Sequence, residues 1–124
     1  SGEGADEAAL ASAEQRVPER VALGAAANNG LAIRSVHREA GNGHERVVVE
    51  VAAPAGAPVS LFVEGPTTDW ALPLPQQDGP AAQHLRRFTF ALDGLPPGAQ
   101  VKGATLTFTA VSGGAAIEVP ARLD

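Results

Sequence analysis

Residues 104–123 read ATLTFTAVSGGAAIEVPARL, and their period decides the fold class. Leu106 and Phe108 alternate with Thr105, Thr107 and Thr109. After Ser112-Gly113-Gly114, Ile117, Val119 and Leu123 share one face, opposite Glu118, Pro120 and Arg122. A period of two is that of a strand with one wet face, and the glycine pair between the runs predicts a hairpin turn. Proline has no N–H to give a ladder, so Pro120 places its strand at an edge or leaves it paired on one side there.

The same period extends upstream. In LRRFTFAL, residues 85–92, Phe88, Phe90 and Leu92 alternate with Arg87, Thr89 and Ala91. In ERVVVEV, residues 45–51, Val47, Val49 and Val51 share a face, with Val48 and Glu50 opposite. LAIRSVHRE begins at Leu31, and the Gly-Asn-Gly at 41–43 predicts a hairpin between these two runs. VSLFVEG, residues 59–65, is apolar without interruption and predicts burial on more than one side. Six strands are clear, and a seventh falls around Trp70 or within Val17 to Leu23. Short strands between Gly, Pro and Asn turns predict an antiparallel β-sandwich. Phe62, Phe88, Phe90 and Phe108 are expected to meet between the sheets, with Leu106, Ile117 and Val119 facing inward. Arg86 and Arg87 are expected as solvated side chains.

The first 29 residues read differently. ADEAALASAE, residues 5–14, favours a helical turn or two, or a frayed linker, that Pro18 ends. We therefore expect residues 1–29 to be a linker and N-terminal extension, and residues 30–124 to be the sandwich domain. Ser1-Gly2 has the look of a cloning remnant, and AALASAEQRVPERV, residues 8–21, reads as an interdomain linker.

Charge and composition narrow the function. Nine basic residues stand against fourteen acidic ones, a net of −5 at pH 7. That balance predicts neither nucleic acid nor an anionic membrane surface as a partner. The chain has no cysteine, which removes thiol chemistry, disulfides and thiolate metal sites from its own repertoire. The longest uncharged run, residues 103–117, alternates in polarity, so a soluble segment without membrane insertion is expected.

Candidate chemistry is thin. His37 and His44 flank the Gly-Asn-Gly turn, and with Glu39 or Glu45 they offer a conceivable copper or zinc site. The favoured reading of these two and of His84 is exposed polar residues near turns, with no metal and no cofactor. Ser12, Ser35, Ser60 and Ser112 lack a nucleophile elbow. The acid pairs Asp6–Glu7 and Asp69–Asp78 sit among turn residues. No catalytic residue is expected. The single tryptophan, Trp70, lies in EGPTTDWALPLPQQ, residues 64–77. Its expected role is to pack on its own domain, with ALPLP extended along a sheet edge where proline blunts pairing. The alternative makes Trp70, Leu72, Pro73 and Pro75 a partner contact.

Three phrases add a resemblance: LFVEGPTTDWALPLP, RFTFALDGLPPGA and ATLTFTAVSGGAAIEVPARLD. Over residues 31–124 they resemble the periplasmic amino-terminal region of the DsbD/ScsB type of membrane protein-disulfide reductases, above all its ScsB-like, suppressor-of-copper-sensitivity branch. The resemblance implies an immunoglobulin-like sandwich of about seven strands in the bacterial periplasm, as part of an inner-membrane protein. It implies as partner a neighbouring redox domain of the same polypeptide, or a periplasmic thioredoxin-fold protein. The family's redox cysteine pair has no counterpart here, so the expectation is a non-catalytic module that supports or docks a redox domain. A free-standing extracytoplasmic binding module for peptide, glycan or copper is the alternative.

Overall fold

The computed structural model describes residues 18–26, 30–40, 45–78 and 84–123. The expected helical turn within residues 5–14 lies outside them. The described residues form eight strands and no helix. They are β1 (Glu19–Arg20), β2 (Ala32–Ala40), β3 (Glu45–Ala52), β4 (Ser60–Glu64), β5 (Gln76–Gln77), β6 (Leu85–Ala91), β7 (Thr105–Ser112) and β8 (Ala115–Arg122). They make two four-stranded sheets, ordered β1-β8-β7-β4 and β2-β3-β6-β5. Every pairing is antiparallel except β1 with β8. The chain is a β-sandwich. Of the two stretches offered by the sequence for a seventh strand, Val17 to Leu23 contains β1; Trp70 itself lies in no strand, and β5 begins six residues after it.

The quoted hairpin forms as its period predicts. β7 pairs β8 from Thr105↔Arg122 to Ser112↔Ala115, leaving Gly113 and Gly114 as the two-residue turn. Gly113 has φ of 61°, the left-handed backbone that such turns demand. Among the described residues β8 takes β1 as its second neighbour only at Ile117 and Glu118, and Val21 N–H adds a bond to the Glu118 carbonyl at 3.0 Å. Pro120 therefore pairs on the β7 side alone.

The core lies between the sheets. Phe88, Phe90, Leu106, Phe108, Ile117 and Val119 are all buried, as the alternation predicts. Phe90 of one sheet and Phe108 of the other have ring centroids 6.1 Å apart at a tilt of 54°. Tilted aromatic pairs add about 0.5–1.5 kcal/mol beyond their burial.

Three expectations are corrected. Phe62 is 46% exposed and does not join the other phenylalanines. β4 is an edge strand whose register turns Leu61 and Val63 to the core, so Phe62, one residue out of phase, faces outward opposite Thr109. The apolar run of β4 is thus buried on one face only. Arg86, expected in solvent, is only 4% exposed. It shares the inward phase of Phe88 and Phe90, and its guanidinium donates to the Ala57 carbonyl at 2.9 Å and the Pro54 carbonyl at 3.3 Å. The turn after β3 presents carbonyls that a planar guanidinium can satisfy together, and that offsets the burial of the charge.

Candidate functional site

The Trp70 segment is built from the turn upward. Trp70 N–H donates to the Thr67 carbonyl at 3.2 Å, and the Thr67 hydroxyl donates to the Asp69 carboxylate. Ala71 N–H then donates to the Gly94 carbonyl at 2.8 Å. Gly94 has φ of 74°, and a Cβ there would fall 2.1 Å from the Ala71 carbonyl oxygen. Only glycine lets the two segments approach so closely. A Cβ at Gly65 would likewise collide with the Trp70 side chain.

Trp70 and Leu72 are half-buried and pack against the core. Pro73 is half-buried and Pro75 buried, and the 71–75 stretch runs into β5 at the edge of its sheet. Leu74, between the prolines, is 57% exposed. The four residues named from the sequence therefore lie along one flank of the sandwich, partly used by the protein's own packing.

Beside this flank runs β4, and two hollows separate the two. One, of about 370 Å³, lies between Val63–Gly65 and Trp70–Leu72. The other, of about 270 Å³, lies between Val59–Phe62 and Leu74–Gln77. Exposed Phe62 stands on one wall and exposed Leu74 on the other. Sequence reasoning missed both. Leu61, Phe62 and Val63 are all apolar, so polarity gave no signal of which of them faces outward.

Of the residues considered for metal or catalysis, His37 and Glu45 share one hollow, and the other described ones lie apart from it. His37 is exposed in a separate hollow of about 430 Å³ with Arg38, Ala40, Glu45 and Lys102. His44 lies outside the described residues. Glu45 accepts from Arg38 at 3.2 Å, and Glu39 accepts from Arg46 at 2.6 Å. The Arg46 hydrogen bonds, joined by the charges of Arg46 and Arg87, hold the Glu39 carboxyl below the usual carboxylate range. Among the described residues no group of three or more metal-ligating side chains is present. His84 is exposed at the start of β6, and its carbonyl accepts from Ala53 N–H at 2.9 Å. Ser35 donates to Glu50 at 3.4 Å, Ser60 is exposed at the start of β4, and Ser112 is buried beside the hairpin turn. Asp69 closes the turn before Trp70, while Asp78 faces Arg87 at 3.8 Å. Ser12, Asp6 and Glu7 lie outside the described residues.

No family model, no curated protein and no solved structure matches this chain.

Proposed function

We propose that the chain is a non-catalytic, immunoglobulin-like module that docks a protein partner in a membrane thiol-disulfide reductase system of the DsbD/ScsB type. It would act in the bacterial periplasm, supporting a redox domain of the same polypeptide or receiving a thioredoxin-fold protein. The observation that carries the docking role is the gathering of exposed Phe62 and Leu74 on one flank, beside half-buried Trp70. Large exposed apolar side chains grouped around a groove are a usual mark of protein contact.

Strand connectivity supports the immunoglobulin-like reading. With β2 to β8 lettered A to G, the sheets become A-B-E-D and G-F-C, the constant-type arrangement. β1 adds a short parallel strand beside G. The redox setting rests on the phrases around Trp70 and in residues 88–124. With no cysteine, the chain itself exchanges no disulfide, and this favours support or docking over electron transfer. The alternative, a binding module outside any redox system, is favoured by the same flank. Of its three ligand classes, peptide suits an apolar groove better than glycan or copper.

Titration of the isotope-labelled chain with the neighbouring redox domain tests the proposal. Saturable amide shifts are expected, together with cysteine pairs and a multi-span membrane segment elsewhere in the open reading frame. A reading frame without these features would remove the redox setting. No association with the neighbouring domain would remove the docking role.

A further inference from the structure

The four sheet edges are not alike. β1 and β5 are two residues long, and β5 follows Pro73 and Pro75. β2 has a register shift between Ile33 and Ser35 and carries Arg34 and Arg38. Short length, proline, bulges and charge are the ordinary ways to blunt an edge. β4 has none of the first three. It reads SLFVE, pairs β7 without a shift over five residues, and bears its one charge, Glu64, at the end.

Among the described residues β4 pairs only with β7. The returning strip 70–77 passes β4 but sends its backbone bonds elsewhere: to Thr67, to Gly94 and to β6. Alternate residues of an edge strand direct N–H and C=O away from the sheet. The outer edge of β4 runs beside the hollow that has Phe62 and Leu74 on its walls.

Charge says what fits. Among the described residues Glu64 is the one ionisable residue lining the two hollows, with no lysine, arginine or histidine beside it, and Asp69 stands exposed in the adjoining turn. The whole chain carries −5, so a second copy would meet like charge. A partner segment with a basic residue meets the opposite sign.

We infer that β4 accepts an extended segment of a partner protein as a fifth strand of its sheet. Apolar side chains of the segment lie against Phe62 and Leu74, and a lysine or arginine lies near Glu64. This mode supplies affinity through main-chain bonds and selectivity through alternate side chains. The inference rests on the docking role proposed above and names its surface.

The test uses the intact chain, isotope-labelled, and a synthetic peptide of alternating valine and threonine with one terminal lysine. Two further peptides carry N-methyl groups on alternate amides, one set for each edge of the peptide. The parent peptide should shift amides of Ser60–Glu64, and one methylated version should lose binding by about tenfold or more. Replacing the lysine with glutamate should weaken binding by about two- to fivefold. Equal binding by both methylated peptides, shifts centred away from β4, or a β4-mediated dimer of the free chain would each overturn the inference. If the neighbouring redox domain binds while no peptide shifts β4, the edge assignment fails and the docking role survives.

Discussion

Gly65 lies directly against Trp70: a Cβ at Gly65 would fall 2.4 Å from the Trp70 Cβ and 2.5 Å from its Cγ. Real Cβ atoms do not approach carbon so closely, so any side chain at 65 must displace the indole or the turn that carries it. Gly65→Ala should destabilise the fold by about 1–3 kcal/mol, the usual range for overpacking. A thermal melt checks this, and an unchanged midpoint would show that the indole moves freely.

Trp70→Ala tests the same packing by removal. Full truncation of a buried tryptophan costs about 3–5 kcal/mol, and a half-buried one costs less. We expect a loss below about 3 kcal/mol in urea unfolding, with binding of a partner weakened as well. Unchanged stability with weakened binding would assign Trp70 wholly to the partner contact.

Phe62 and Phe108 provide a contrast between neighbouring strands. Phe108 is fully buried and Phe62 is 46% exposed, although Phe108 pairs with the adjacent Val63. Phe108→Ala should cost about 3–5 kcal/mol. Phe62→Ala should stay within about 0.5 kcal/mol of the parent. Equal losses in paired denaturation curves would contradict the register of β4.

Arg86 ties β6 to the turn after β3. Arg86→Met retains volume but leaves the Ala57 and Pro54 carbonyls without their charged donor. Hydrogen bonds to charged groups contribute about 1.5–3 kcal/mol each. We expect a loss of that order, and faster amide exchange in the 54–57 turn than in β7. A variant as stable as the parent would mean that water replaces the guanidinium at no cost.

Glu39 makes stability depend on acid. Its hydrogen bonds from Arg46, with the charges of Arg46 and Arg87, lower its folded pKa below the ordinary value of 4.5. The unfolded chain then binds the proton more readily, so the contribution is fully present above that ordinary value. It is lost as pH falls through the lowered folded pKa. The pair is solvent-exposed, so the effect is small. Melts of Glu39→Gln and parent should differ at neutral pH and converge in strong acid. A difference that persists in strong acid would point to packing instead of charge.

The strands were legible because a half-buried strand must alternate. Residues 88–92, 105–109 and 117–123 carry that alternation without interruption, and their inward side chains lie where the period puts them. β4 was legible in the same terms, yet its apolar run disguised the phase. Leu61, Phe62 and Val63 are all apolar, so composition alone does not say which face is wet.

The sequence by itself determined the all-β class, the hairpin at Gly113-Gly114 and the inward phenylalanines of β6 and β7. It did so because period and turn chemistry are local properties of a few consecutive residues. Only the tertiary structure decided that β4 is an open edge, that Arg86 is buried and that Gly65 and Gly94 cradle Trp70 and Ala71. Those facts depend on which segments meet: Arg86 faces carbonyls some thirty positions away in the chain, and Gly94 approaches Ala71 across the flank. Side-chain type cannot reveal such meetings, because burial and exposure are set by the neighbours that the fold supplies.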